Sequence, residues 1–332
     1  MSTAGSGSDG ADGLVVALSG GIGGAKLAPG LTRVVPPGRL LVIANTGDDF
    51  EHLGLAISPD LDTLMYTLAG IENPETGWGR RSETWTFLTV LDMLGGETWF
   101  RLGDGDLATH VERTRRLKAG ETLSTITEDF CRRLDVPARI LPMTDDSVRT
   151  RLRTDDGWLD FQDYFVRRRC EPRVRELTYD GAASARANPA WITALQDADL
   201  RAVVICPSNP FLSIDPMLAI PGVRDALAAC RAPVIAVSPI VRGRSIKGPT
   251  AKMMQELGLA VTASSVARHY GDLLDGYVVD PADSDVICPG VEIARAATVM
   301  ITLADREALA RDALAFADKL RRSHPESAGV SV

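Results

Sequence analysis

The chain has 332 residues, 45% of them hydrophobic, and a formal net charge of −8. This composition is typical of a globular protein with a substantial core, and the acidic balance argues against a nucleic-acid partner. No apolar run reaches the ~18 residues that a membrane span needs, and the five scattered cysteines argue against a disulfide framework or a zinc site. These features predict a cytoplasmic protein without a membrane partner.

The first predicted element is a strand that runs directly into a glycine-rich turn. Residues 1–13 are small and polar and predict a disordered lead-in, and the strand Leu14–Ser19 follows. The turn Gly20–Gly24 leaves backbone amides unobstructed, the next helix points its positive end at an anion, and Lys26 adds a cation. The turn therefore predicts a phosphate site, formed chiefly by Gly20, Gly21, Gly23, Gly24 and Lys26. The alternative is a tight turn that only lets the helix pack closely on the sheet.

A second strand, Leu40–Ala44, ends in a cluster of polar and acidic residues. Asn45, Thr46, Asp48 and Asp49 follow it directly, and Asp62 lies a short distance further on. Ligands of open α/β sheets bind at the carboxyl ends of the strands, so this cluster should lie beside the glycine turn. Crowded carboxylates repel one another unless a cation lies between them, which predicts a magnesium site. The alternative is that Ser58 or Asp60 caps a helix and the acids are solvated.

The rest of the chain predicts an α/β domain with a mostly parallel sheet. Helical periodicity between residues 58 and 136 predicts a helical insertion over the strand ends, and Asp155-Asp156-Gly157 predicts a β-hairpin over Arg149–Leu159. We expect one domain over residues 14–320, closed by the helix Ala304–Leu320, and a loose tail over 321–332. The further predicted strands are Arg139–Leu141, Ala202–Cys206, Val234–Val237, Tyr277–Val279 and Thr298–Ile301.

Two later loops carry further candidate binding groups. CPSNPFLSIDPML, from Cys206, offers Ser208, Asn209 and Ser213 as short hydrogen-bonding groups suited to the edge of a base. Ordinary turn chemistry explains the same residues equally well. SPIVRGRSIKGP, from Ser238, places Lys247 in a basic loop and predicts a second anion site, with a solvated loop as the alternative.

These segments, taken together and in order, resemble the 2-phospho-L-lactate transferase family of coenzyme F420 biosynthesis. The resemblance covers most of the chain and rests on SGGIGGAKL, NTGDDFEHLGLAISPDLDT, LGDGDLATH, ILPMTDD, DFQDYFVRR, PSNPFLSIDPML and SPIVRGRSIKGP. It implies a Rossmann-like fold with a helical insert, a magnesium requirement and a homodimer. It also implies that a phosphorylated three-carbon acid is transferred from its guanosine diphosphate adduct to the ribityl hydroxyl of the deazaflavin Fo, with release of GMP.

The resemblance also implies roles for individual residues. The four glycines of the turn would hold the donor diphosphate with Lys26 and Lys247, and Ser208, Asn209 and Ser213 would contact guanine. Asp49 and Asp62 would bind magnesium and the Fo hydroxyl, and one of the two would accept its proton. Asn45, Thr46, Asp48 and Trp85 would contact substrate, with Trp85 stacking on the deazaflavin. Gly105 departs from the pattern, because family members often have arginine there.

Two other functions compete with this one. A non-catalytic nucleotide-binding regulator of the related gluconeogenesis-factor type would keep the glycine turn and NTGDD without an Fo site. A nicotinamide-dependent oxidoreductase is disfavoured because the third glycine of its fingerprint is replaced by Lys26 and because Asn45, not an acid, ends the second strand.

Overall fold

A computed structural model describes residues 12–323 of the chain. Its strands are β1 (Leu14–Ser19), β2 (Leu40–Ala44), β3 (Phe50–His52), β4 (Leu55–Ile57), β5 (Arg139–Pro142), β6 (Arg149–Thr154), β7 (Gly157–Asp160), β8 (Val174–Asp180), β9 (Leu200–Ile205), β10 (Val234–Val237), β11 (Ile240–Val241), β12 (Arg244–Ser245), β13 (Gly276–Val279) and β14 (Glu292–Arg295). Its α-helices are α1 (Gly21–Val34), α2 (Pro59–Leu68), α3 (Thr86–Met93), α4 (Asp104–Lys118), α5 (Leu123–Arg133), α6 (Pro189–Leu195), α7 (Asp215–Leu218), α8 (Val223–Ala228), α9 (Thr250–Glu256), α10 (Ala263–Tyr270) and α11 (Leu303–Ser323).

A seven-stranded parallel sheet forms the centre of the molecule, in the order β14-β13-β10-β9-β1-β2-β5. Every residue of β2 and of β9 is buried, as expected where helices cover both faces of a parallel sheet. On one face the core includes Leu31 of α1, Leu64 of α2 and Leu314 of α11. On the other face it includes Trp191 and Met253. The predicted Rossmann-like α/β class is confirmed.

The small antiparallel elements lie outside the main sheet. The predicted hairpin forms as β6 and β7, and β8 adds a third strand on the other side of β6. Within residues 58–136 the chain forms α2, α3, α4 and α5, and α2 packs into the same core as α1. No helix in residues 12–323 is both long enough and apolar enough to cross a membrane.

Two predicted boundaries were wrong. The last strand is β14, and the predicted strand Thr298–Ile301 has no ladder partner in the described structure because its polar groups bond elsewhere. Thr298 donates its amide to Asp280, and the carbonyl of Met300 accepts a hydrogen bond from Lys26. The first helix begins at Gly21, so most of the predicted glycine turn is the first turn of α1. Residues 1–11 of the predicted lead-in and 324–332 of the predicted tail lie outside the described residues.

Candidate active site

The main cavity opens at the carboxyl edge of the sheet, where β1 lies between β2 and β9. The chain leaves β1 towards β2 on one side, and β9 begins the other half of the sheet, so this is the topological switch point at which such sheets bind ligands. The cavity encloses about 530 Å³. Its walls come from the start of α1, the β2–α2 segment, the 206–213 loop and the 238–250 loop, and an aromatic rim contains Trp78, Trp99, Phe100, Phe161 and Phe165.

The glycine turn packs closely against the loop that follows β9. A Cβ on Gly23 would lie 2.4 Å from the carbonyl oxygen of Pro207, and one on Gly24 would lie 2.4 Å from Ser208 Oγ. A Cβ on Gly20 would lie 2.5 Å from Ser213 Cβ. Close packing therefore accounts for these three glycines. Gly21 (φ +63°) and Gly23 also line the cavity, so the same turn presents open backbone to a ligand.

The three polar residues predicted from the 206–213 loop occupy different positions. Ser208 is buried behind the turn, where its hydroxyl accepts a hydrogen bond from the Gly20 amide at 3.1 Å. Asn209 lines the cavity while its side-chain oxygen accepts from the amides of Phe211 and Leu212. Ser213 also lines the cavity. The structure thus exposes Asn209 and Ser213 to a ligand and uses Ser208 to fix the turn.

Three cations gather beside the start of α1. Lys26 and Lys247 line the cavity, and Arg306 of α11 acts electrostatically on Lys26. Burial lowers the pKa of Lys26, and the charges of Lys247 and Arg306 lower it further. None of the three forms a salt bridge with a carboxylate of residues 12–323. Such an uncompensated group of positive charges is suited to a phosphate chain.

Opposite these cations, two buried acids share one amide. Asn45 donates through Nδ2 to Asp48 and, at 3.0 Å, to Asp60. Burial raises the pKa of Asp48 well above its usual range, and Asp60 raises it further. Burial likewise raises the pKa of Asp60 to about 6, although the Gly21 amide donates to it. Asp48 and Asp60 both line the main cavity, whereas Asn45 and Thr46 are not among its described lining residues.

Asp49 has one bonded and one unpartnered carboxylate oxygen. Ser58 donates its hydroxyl to Asp49 Oδ2 at 2.8 Å and makes no side-chain cap for α2, so the capping alternative fails for Ser58. Oδ1 is buried, and no group in residues 12–323 forms a hydrogen bond with it. Burial raises the pKa of Asp49 to about 7, against the opposing charge of Arg149. One carboxylate oxygen of Asp49 is therefore held by Ser58, and the other is available to accept a proton.

Asp62 lines the main cavity and is held by a buried arginine. Arg113 of α4 donates to both carboxylate oxygens, at 3.0 Å to Oδ2 through Nη1 and also to Oδ1 through Nη2. Arg113 is only 2% exposed. A two-point pair of this kind fixes the orientation of the carboxylate. Asp49 and Asp62 act on each other electrostatically, but Asp49 lines a second cavity.

Asp62, Asp106 and His110 bring possible metal-ligand atoms within 4.8 Å of one another. Arg113 already supplies the cation of this group. Its Nη1 donates to His110 Nδ1 at 3.2 Å, and His110 Nε2 lies 3.3 Å from Asp106 Oδ2. These residues therefore form a polar network around Asp62 in which Arg113 takes the place of a metal cation.

The second cavity, of about 790 Å³, adjoins the main one. Asp48, Trp99, Phe161 and Gln162 line both. Asp49, His52, Arg149 and Thr150 line the second cavity alone, and three arginines at its rim form ion pairs: Arg151 with Asp160, and Arg167 and Arg168 with Asp163.

Trp85 is not among the described residues that line either cavity. Its ring centre lies 4.3 Å from the Arg101 guanidinium. Sequence reasoning missed Asp60 as a site residue, together with Arg113, Arg149 and Trp99. The spacing of Asp106, His110 and Arg113 along α4 could have indicated one buried polar face, but nothing in the sequence pairs that face with Asp62.

Comparison with known proteins agrees with this geometry. The family model for 2-phospho-L-lactate transferase CofD matches residues 15–317. The chain belongs to the 2-phospho-L-lactate transferase family. Two similar curated relatives carry the name phosphoenolpyruvate transferase. The one from Kitasatospora aureofaciens is 43% identical over 319 residues (92% of this chain and 98% of the relative), and the one from Streptomyces coelicolor is 42% identical over 320 (93% and 99%).

Membership of the 2-phospho-L-lactate transferase family makes the protein a phosphotransferase enzyme. The resemblance in the sequence is confirmed, and the regulator and the oxidoreductase are set aside. Among solved structures, a UPF0052-family protein from Bacillus halodurans matches with a TM-score of 0.61, covering 92% of this chain and 99% of that one. At 14% identity, this likeness concerns the fold alone.

Proposed function

We propose that this enzyme transfers a phosphorylated three-carbon acid from its guanosine diphosphate adduct to the ribityl hydroxyl of Fo, with release of GMP, in coenzyme F420 biosynthesis. The names of the curated relatives favour phosphoenolpyruvate as the acid. The observation that carries the proposal is the main cavity. There the open turn at Gly21 and Gly23 faces a wall of buried carboxylates, beside two lysines that form no salt bridge within residues 12–323.

The donor's diphosphate lies between the glycine turn and the cations Lys26 and Lys247. Backbone amides at the start of α1 and two ammonium groups offset its charge, which is the main requirement of phosphoryl transfer. Asn209 and Ser213 face the guanine. The aromatic rim containing Trp78, Trp99 and Phe161 suits the flat ring of Fo better than Trp85, whose face Arg101 covers.

In the transfer itself, the Fo hydroxyl oxygen bonds to the phosphorus that carries the acid. The bond from that phosphorus to the bridging oxygen breaks, and the oxygen leaves with GMP. The hydroxyl proton passes to Asp49, whose Oδ1 has no other partner while Ser58 holds Oδ2. Asp62 is held by Arg113 and suits a positioning role, in which it accepts a hydrogen bond from the acceptor.

Magnesium fits the buried acids of this site. Asp48 and Asp60 line the main cavity beside the glycine turn and share the single side-chain amide of Asn45. The two carboxylates repel each other when both are ionised. These two carboxylates are stronger candidate ligands than Asp62, whose oxygens Arg113 occupies, and Asp49 remains a predicted ligand. When bound, the cation would offset charge on the phosphates.

Product analysis tests the proposal directly. Fo and magnesium are offered with each guanylated acid in turn (enolpyruvyl, lactyl and glyceryl), and the products are identified by mass spectrometry. We expect a phosphodiester of Fo together with GMP, formed fastest from the enolpyruvyl donor. Asp49→Asn should lose turnover and keep GDP binding, with Asp312→Asn on the exposed side of α11 as the matched control. Turnover of Asp49→Asn at the wild-type rate would remove Asp49 from the mechanism. The predicted cytoplasmic homodimer stays a prediction.

A further inference from the structure

The second cavity has the features of a binding site, and of the residues that line it alone the proposed reaction uses only Asp49. Three of its lining residues are at least nine-tenths buried and carry a polar atom without a hydrogen-bond partner: Asp49 Oδ1, His52 Nε2 and Thr150 Oγ1. Buried polar groups are almost always hydrogen-bonded, so each unpartnered one needs an explanation. Asp49 Oδ1 is the proposed proton acceptor, and the other two atoms, His52 Nε2 and Thr150 Oγ1, indicate that a polar ligand supplies the missing partners.

Arg149 is the arginine of this cavity that no described carboxylate pairs with in a salt bridge. The neighbouring arginines 151, 167 and 168 are each neutralised by an acid at the rim. Arg149 forms no salt bridge with a described carboxylate, and its Nη1 donates to the carbonyl oxygen of Val148. It is half-buried, and Thr150 follows it on β6. A half-buried guanidinium that retains unused donors beside a buried hydroxyl is suited to a carboxylate or a phosphate.

The position of the cavity favours a carboxylate over a phosphate as the group that Arg149 binds. The main cavity holds the cations suited to the diphosphate, and the two cavities adjoin at Asp48 and Gln162. A donor whose diphosphate lies at the glycine turn would direct its remaining group, the three-carbon acid, across this junction. The enolpyruvyl, lactyl and glyceryl acids differ in their carbon skeletons but share one carboxylate.

We propose that the second cavity binds the three-carbon acid of the donor and that Arg149 is the residue that binds its carboxylate, with Thr150 as a second hydrogen-bond donor. This inference rests on the proposed function. It predicts that the site binds a guanylated acid more tightly than a plain guanosine diphosphate ester, because an analogue without the carboxylate leaves the guanidinium unpartnered.

The test compares three ligands on four proteins. The ligands are the guanylated enolpyruvyl donor, GDP, and the β-ethyl ester of GDP, which lacks the carboxylate. The proteins are the wild type, Arg149→Gln, Arg149→Lys and Arg153→Gln; Arg153 lies four residues along the same strand, pairs with Glu176 and is exposed. Calorimetry gives the Kd of each ligand, and steady-state kinetics gives the KM for Fo.

We expect Arg149→Gln to weaken binding of the acid donor about 10- to 100-fold, the range for loss of a charge-assisted hydrogen bond. Binding of GDP and of the ethyl ester should change less than about twofold, the KM for Fo should not change, and Arg153→Gln should behave as wild type. Arg149→Lys should recover part of the affinity, because it keeps the charge and loses the two-point geometry.

Two results would overturn the inference. Equal weakening of GDP and donor would make Arg149 a general diphosphate contact, and a raised KM for Fo with an unchanged donor Kd would assign the cavity to the acceptor. Failure of the proposed function is seen separately, because wild-type protein would then neither bind nor turn over any guanylated acid. Thermal unfolding of each variant checks that the fold is intact.

Discussion

Replacing Asp49 by asparagine should change the stability of the metal-free protein in a pH-dependent way. Burial raises the pKa of Asp49 from 3.8 to about 7 in the folded protein, so over this range the folded state keeps a proton that the unfolded chain loses. The neutral carboxyl therefore contributes stability that is fully present below pH 3.8 and is lost as pH rises to about 7. Asparagine stays neutral throughout and avoids this loss.

The magnitude follows from the size of the shift. A change of about 3 pKa units corresponds to about 4 kcal/mol at 1.36 kcal/mol per unit, and structural relaxation reduces this to about 2–4 kcal/mol. The buried amide that asparagine adds at the unpartnered oxygen costs a further amount that does not vary with pH. The pH-dependent part is therefore the quantity to compare.

Urea unfolding in the presence of a chelator, followed by tryptophan fluorescence, measures this difference. The free energy of unfolding of Asp49→Asn minus that of wild type should rise by about 2–4 kcal/mol between about pH 4.5 and about pH 8. Asp312→Asn, on the exposed side of α11, should show no such rise. A difference that stays constant across this range, or that falls, would refute the burial argument for Asp49.

Three further predictions concern the site. Arg113→Met should destabilise the protein by about 3–5 kcal/mol, because it leaves Asp62 buried and unpaired; urea unfolding should show that adding Asp62→Asn recovers more than half of that loss, and an additive double mutant would contradict the pair. Gly23→Ala should lower stability by about 1–3 kcal/mol and weaken GDP binding, because its Cβ meets the Pro207 carbonyl; unchanged unfolding and calorimetry would show that the turn has room. Trp99→Phe should abolish most of the quenching of tryptophan fluorescence by Fo, whereas Trp85→Phe should leave it; the reverse result would restore Trp85 as the stacking residue.

The sequence alone determined the parallel sheet and the position of its binding edge. β2 and β10 are apolar throughout, and β1 and β9 are apolar except for Ser19 and Arg201. A strand has such a composition when both of its faces are buried, and each of these strands is followed by a polar or glycine-rich loop. Because parallel strands bring these loops to one edge, the glycine turn, NTGDD and the 206–213 loop had to meet. Local pattern was sufficient for that conclusion.

Only the tertiary structure decided how each acid is held. Asp49 and Asp62 look alike in the sequence, but Ser58 holds one oxygen of Asp49 and leaves the other unpartnered, whereas Arg113 engages both oxygens of Asp62. Arg113 lies 51 residues further along the chain, on a helix whose orientation depends on packing. The charge and availability of a buried carboxylate depend on the groups within a few ångströms of it, and contacts between distant segments set those groups.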